Sequence, residues 1–349
     1  MSTQAEAGIP LSLRPEEQHQ PFRLLELPPE LLSLLTSENP PALQLKSTEG
    51  QAGEAGGNAV LCTPTKTFNI RQKNSSNTVF ILQSGVEAHA SDNAIPGLEL
   101  TAISKPESTL ETLPVSKSIA AAHIRQILPV LATTGQASAT RSALTKAQLL
   151  ANVPFSDAEC DNAFRELSAF SDVTTNHCMI PSAKLKIETW LSILENSRAN
   201  AVDLTSELNS DAILSLKDGL EDLPAGLYEA VLCAFASKSS DLTTIDQDKV
   251  VRWVGLNRLE ADAPKNAISV SAFKSSWKDG LPEKLREKVD LPLIADRHIL
   301  SAGGKSIAFK DYTLDLTPGA EGAGAQEGKS ALGTKRKWHE KFKPAKKAT

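Results

Sequence analysis

Residues 59–83 read AVLCTPTKTFNIRQKNSSNTVFILQ, and the fold turns on them. Val60, Leu61 and Cys62 make a short apolar run, residues 64–66 can turn the chain, and Phe68 and Ile70 alternate with polar neighbours. Residues 74–77 turn it again, and Val79 to Leu82 close the set. The spacing predicts three short strands in a meander. Two or three strands are marginal in water unless further strands or a partner cover the apolar face and the open edges. The stretch is therefore read as one part of a larger sheet that another chain can complete. Its apolar strand positions Leu61, Phe68, Ile70, Val79 and Ile81 are the candidate partner-binding residues. Phe68 and Ile70 are two apart and so share a face.

Working outward, residues 1–20 are polar and read as disordered, and a β-rich domain spans residues 21–113. Pro28, Pro29 and Glu30 suit the first turn of a short helix over residues 29–35, which Pro40 and Pro41 end. Residues 42–46 and 98–103 supply further strands. Beyond them the pattern turns helical. A helix is expected over residues 119–131, Thr145 caps a second, and Ser156 caps a third that runs to Phe170 with Phe164 and Leu167 inward. Strand-like pieces over residues 171–181 follow. Three helices and then a strand pair are the order of a winged helix, and the same order recurs twice. The expected units are residues 116–181, 182–245 and 246–316, with a helix over residues 282–289 in the last of them. A Gly-rich linker and basic tail occupy residues 317–349. The fold class is α+β.

At 349 residues the chain exceeds one small domain. No apolar run approaches the roughly 20 residues of a membrane span, so a soluble, intracellular protein without membrane contact is expected. Cys62, Cys160, Cys178 and Cys233 are widely spread, without metal-ligand spacing, and read as reduced core thiols. Charge is asymmetric. Residues 329–349 carry eight Lys or Arg against Glu340 alone, a net of +7, which leaves −12 for the rest of a chain whose total is −5. Any contact with DNA must then come from local patches or from the tail. Residues 182–245 hold five basic and ten acidic residues, whereas residues 246–316 hold twelve and eleven. The middle unit suits a protein-binding spacer. In the last unit Lys284, Arg286 and Lys288 on one helix, with Lys305 and Lys310 on the wing, are the candidate DNA-binding residues, and a solvated helix face would look the same. Lys335, Arg336 and Lys337 head a candidate nuclear import signal.

Gly303-Gly304-Lys305-Ser306 does not make a phosphate-cradling loop. Such a loop needs glycine where Ile299 stands and a helix afterwards, whereas Ile307 and Phe309 alternate as in a strand. His298 has no nucleophile at a recognisable spacing and reads as a structural hydrogen bonder. Trp190, Trp253 and Trp277 lie inside helical patterns and read as core. No catalytic residue, cofactor or metal site emerges, and the protein is read as a non-enzyme.

Two sets of residues resemble a known family. Glu26, Leu27, Pro28, Glu30, Leu31 and Leu32, followed by Ala59, Val60, Leu61, Cys62, Thr63, Lys66, Thr67, Phe68, Ser76 and Asn77, form the first. Asp248, Lys249, Arg252, Phe273, Trp277, Pro282, Leu291, Asp296, Arg297 and His298 form the second. Together they resemble the "defective in sister chromatid cohesion" family, a subunit of an alternative replication factor C clamp loader, over residues 22–316. Longer relatives continue beyond the last wing, whereas here the Gly-rich linker follows. The resemblance implies a nuclear, non-catalytic subunit whose first domain combines with strands of the large and small chromosome-transmission-fidelity subunits into a composite barrel. It also implies winged helices that extend to DNA or to polymerase epsilon, in a complex that acts on PCNA. The alternative reading is a winged-helix DNA-binding transcription regulator.

Overall fold

The computed structural model describes residues 11–47, 59–73, 77–85, 99–115, 119–133, 136–137, 143–220, 223–224, 226–239 and 242–312. The N-terminal part contains strands β1 (Leu11–Leu13) and β2 (Leu24–Glu26), helix α1 (Pro29–Leu35), and strands β3 (Gln44–Ser47), β4 (Ala59–Cys62), β5 (Thr67–Lys73), β6 (Ile81–Gly85), β7 (Glu99–Ser104) and β8 (Thr109–Pro114). Helix α1 has the predicted bounds because Pro29 is preset for the first turn and Glu30 faces the helix N-terminus.

The strands form two open sheets, one in the order β2-β8-β5-β4-β3 and one in the order β1-β7-β6. The expected meander is thus split. Strand β4 does pair antiparallel with β5, with Leu61 opposite Phe68. The other neighbour of β5 is β8, not the strand at residues 79–82, and β6 pairs with β7 in the second sheet. Cross-strand charge is consistent with this pairing. Arg71 lies directly opposite Glu111 and forms an ion pair with it, and Lys73 reaches both Glu111 at 3.7 Å and Glu26 at 3.1 Å. Such pairs reward one register over a slipped one. Ordered structure also begins earlier than the polar composition suggests. Leu11–Leu13 runs parallel to β7, and Glu16–Gln18 forms a 3-10 turn.

The rest of the chain repeats one arrangement three times. The first unit holds α2 (Ala120–Ile127), β9 (Val130–Thr133), β10 (Gln136–Ala137), α3 (Lys146–Asn152), α4 (Asp157–Glu166), β11 (Phe170–Ser171) and β12 (Cys178–Pro181). The second holds α5 (Ala183–Ala199), β13 (Glu207–Leu208), α6 (Ser210–Ser215), α7 (Leu227–Cys233), β14 (Ala236–Ser239) and β15 (Leu242–Ile245). The third holds α8 (Gln247–Asp262), β16 (Ile268–Ser269), α9 (Val270–Asp279), two 3-10 segments, β17 (His298–Leu300) and β18 (Ser306–Phe309). In each sheet the last strand lies between the strand that follows the first helix and the strand before it, as in β13-β15-β14 and β16-β18-β17. The first unit adds β10 at the edge, and its β9–β12 pair is parallel.

Three boundaries differ from expectation for local reasons. The first helix stops at Ile127, not Leu131, because Pro129 forces Leu128 into an extended conformation (φ −77°, ψ 144°), and the chain continues as β9. Helix α4 stops at Glu166. Ser168 takes a left-handed φ of 51°, and Phe170 belongs to β11. The helix expected over residues 282–289 is a 3-10 segment, Glu283–Lys288, with a second at Leu291–Arg297.

One apolar core runs through all three units. Trp190 of α5 meets Phe235 and Trp253 edge-on at 5.2 and 6.4 Å. Its ring Nε1 donates to the Gly280 carbonyl at 2.7 Å, and that of Trp253 donates to Ser168 at 3.1 Å, so each tryptophan reaches into another unit. Arg125 of α2 pairs with Glu260 of α8 in the interior. Beside them burial pulls the Lys186 ammonium down to about 8, with Glu260 opposing the shift. The units are therefore joined through one continuous core, as an arm after the sheets. No helix among the described residues is long and apolar enough to cross a membrane.

Candidate partner-binding face

Pairing register assigns the faces of the larger sheet. Leu45, Leu61, Phe68 and Ile70 lie on one face, because Leu45 opposes Leu61 and Leu61 opposes Phe68. Helix α1 covers much of it. Leu31, Leu61 and Phe68 form a small buried core, against which Leu27, Leu34, Leu35, Leu43 and Ile70 pack. Two of the five sequence-chosen partner residues, Leu61 and Phe68, are thus interior to this chain, and Ile70 is half-buried. Leu61 and Phe68 shape the sheet from within, and Ile70 lies at the rim of that core.

Exposed apolar side chains lie elsewhere in the same domain. In the second sheet Leu13 opposes Ala102, which opposes Leu82, and Leu11 opposes Leu100. Leu11, Leu13 and Leu82 therefore share a face, yet they are 59, 65 and 44% exposed. Val79 precedes β6 instead of belonging to it and is exposed with Phe80, while Ile81 is half-buried. Leu45, 73% exposed, stands on β3, the terminal strand of the larger sheet. Strand edges unpaired among the described residues, beside exposed leucines, are what a partner strand would pair with and cover. The Leu-Ser-Leu alternation at residues 11–13 carried this signal, but three residues are too few for periodicity to decide.

The candidate DNA-binding residues do not form one basic face. Lys284 donates to Asp203 at 2.7 Å, Lys288 to Asp248 at 2.9 Å, and the Arg286 Nε to the Leu281 carbonyl at 3.4 Å. The hydrogen bond from Lys284 holds the Asp203 carboxyl down at about 2. A phosphate at Lys284 or Lys288 would share the ammonium with a neighbouring carboxylate. Lys305 is exposed in the turn between β17 and β18, and the Lys310 amide donates to the Arg297 carbonyl. Gly304, with φ of 67°, supplies that turn, and a strand follows it, not a helix. His298 Nδ1 lies 2.9 Å from the Ile294 carbonyl. Lys335, Arg336 and Lys337 lie outside the described residues.

A cleft of 260 Å³ opens where the three units meet, lined by Arg165, Lys249, Arg252, Trp253, Phe309 and Tyr312 among others. Its cations are committed. Arg252 grips Asp296 with two 2.9 Å hydrogen bonds, Lys249 lies 3.1 Å from Asp246, and Arg165 donates to Asn162 at 2.6 Å. Cys233 also lines the cleft and is exposed, unlike the three buried cysteines, but no histidine stands there to activate it. Among the described residues no three His, Cys, Asp or Glu side chains are grouped to hold a metal.

The chain thus joins a two-sheet domain with exposed leucines to three repeated units that share one core. The chain matches the family model of the sister chromatid cohesion protein Dcc1 over residues 22–313, and it belongs to that family. Membership implies a role in sister chromatid cohesion. No match was found among curated proteins.

Proposed function

We propose that this protein is a non-catalytic nuclear subunit of an alternative replication factor C clamp loader that acts on PCNA during DNA replication. In this reading the sheet domain takes up strands of the large and small chromosome-transmission-fidelity subunits and completes a composite barrel. The three repeated units are winged helices, a reading supported by their common strand order, and they extend toward DNA or polymerase epsilon. The observation that carries the proposal is the uncovered leucine face of the second sheet, beside terminal strands in both sheets. Pairing of Lys284 and Lys288 with carboxylates weighs against the alternative of a sequence-reading transcription regulator.

The test replaces Leu13 and Leu82 with aspartate together. Both side chains are exposed, so the thermal unfolding of the chain is expected to stay within about 0.5 kcal/mol of the parent. Co-purification with the large clamp-loader subunit is expected to be lost, because two carboxylates would be buried unpaired. Native yield of the complex would place the partner strands elsewhere. On the arm, Lys305→Glu with Lys310→Glu is expected to weaken DNA binding and to lower the slope of log affinity against log salt by about one to two, at roughly 0.9 for each phosphate no longer neutralised. An unchanged slope would exclude the wing as the DNA-binding element.

A further inference from the structure

The second face of the larger sheet holds Lys46, Val60, Cys62 and Thr67, since Lys46 opposes Val60 and Cys62 opposes Thr67. All four side chains are buried. What they cover is the junction between α3 and α4. The Lys46 ammonium donates to the Leu150 carbonyl in the last turn of α3 at 2.9 Å and to the Phe155 carbonyl at 2.6 Å, with the Asp157 carboxylate 3.8 Å away. A cation there satisfies carbonyls that have no partner within a helix and opposes the negative end of its dipole.

The start of α4 is met in the complementary way. Ser156 and Glu159 form a capping box, with the Glu159 amide donating to the Ser156 hydroxyl and the Ser156 amide to Glu159. Thr67 joins it from the sheet. Its hydroxyl accepts from the Ser156 amide at 2.8 Å and donates to the Glu159 carboxylate at 2.5 Å. The Ala158 amide, in the first turn, donates to the Pro64 carbonyl at 3.1 Å. Thr63 fixes the supplying turn, because its hydroxyl accepts from the Lys66 amide at 2.9 Å and its own amide donates to the Lys66 carbonyl.

We infer that Lys46, Pro64 and Thr67 form a clasp that seizes both helix ends at the α3–α4 junction, making the first unit the socket of the sheet domain. The partner-binding platform and the arm then move as a single lever. The clasp has a further consequence, which rests on the winged-helix reading. Helix α4 is the third helix of its unit, the one such folds present to the major groove, and its N-terminal end is occupied by the chain itself. The first unit is an internal adaptor, and contact with DNA falls to the other units.

Hydrogen exchange on the full-length chain separates the two statements. Thr67→Val is expected to speed exchange of the Ser156 and Ala158 amides by about tenfold, the factor that loss of one buried hydrogen bond carries. Lys46→Met is expected to do the same at Ala158 and at the end of α3. Thr67→Ser, which keeps the hydroxyl, is expected to retain protection. Amides of Leu61 in the sheet and Trp253 in the arm serve as controls for folding, and neither should change. Unaltered protection in Thr67→Val, or equal loosening in Thr67→Ser, would overturn the clasp. A short DNA duplex added to the parent should leave the first turn of α4 as it was. New protection there would overturn the adaptor role while leaving the clasp intact.

Discussion

Phe68→Ala is expected to unfold the sheet domain, release the protein from its partners, and leave the arm folded. Phe68 is 1% exposed and, among the described residues, shares its core with Leu31, Leu61 and a rim of half-buried leucines and Ile70. Truncating a buried phenylalanine typically costs about 3 to 5 kcal/mol, against a whole-domain stability of about 5 to 15 kcal/mol. A core this small cannot close over the cavity. The loss of partners therefore comes through loss of the platform's shape, since the ring does not reach the surface. Fluorescence separates the parts, because the sheet domain holds no tryptophan and Trp190, Trp253 and Trp277 belong to the arm. Their unfolding transition is expected to persist but to fall, because the unfolded sheet no longer holds the α3–α4 junction, while the β signal in circular dichroism falls and co-purification with the large clamp-loader subunit is lost. Complex formation at native yield would show that the sheet tolerates the cavity and that the partners bind independently of this core.

How much of this was legible in the sequence follows from the range of the forces involved. Thr145 with Gln148 and Ser156 with Glu159 announce helix starts three residues away, and both form complete capping boxes. Helix α1 was readable for the same reason, through Pro29 and Glu30. The tryptophans were readable as core because each sits on the apolar side of a long helical pattern. Strand pairing was not. β5 pairs with β8, where Arg71 lies opposite Glu111, forty residues on, and no local rule weighs that distant strand against a nearer one. Lys46 was equally silent. A lysine in a short strand reads as solvated, and only the tertiary fold brings two helix carbonyls to its ammonium. Among the candidate site residues, hydrophobicity marked Leu61 and Phe68 correctly as buried but could not say whether a partner or the chain's own helix buries them.

Gly255→Ala is expected to destabilise the arm, against the usual preference of helices. Within α8 an alanine should gain up to about 1 kcal/mol over glycine. A Cβ at this position, however, would fall inside 3.0 Å of Cδ2, Cε2 and Cζ2 of Trp277. That ring is fully buried, and its Nε1 donates to the Val251 carbonyl at 2.8 Å, so it cannot swing aside without losing a hydrogen bond and its packing. Forced overpacking typically costs about 1 to 3 kcal/mol and occasionally more, which outweighs the propensity gain. Trp277→Ala alone should cost about 3 to 5 kcal/mol. The two substitutions are expected to couple strongly. With the ring gone, Gly255→Ala loses its clash and keeps its propensity gain, so its sign reverses and the double variant is as stable as Trp277→Ala or up to about 1 kcal/mol more so. Urea unfolding of the four proteins, followed by the fluorescence of Trp190 and Trp253, measures the cycle. If Gly255→Ala costs as much without the indole as with it, then the approach of Trp277 is not what requires glycine, and the constraint lies in the backbone of α8.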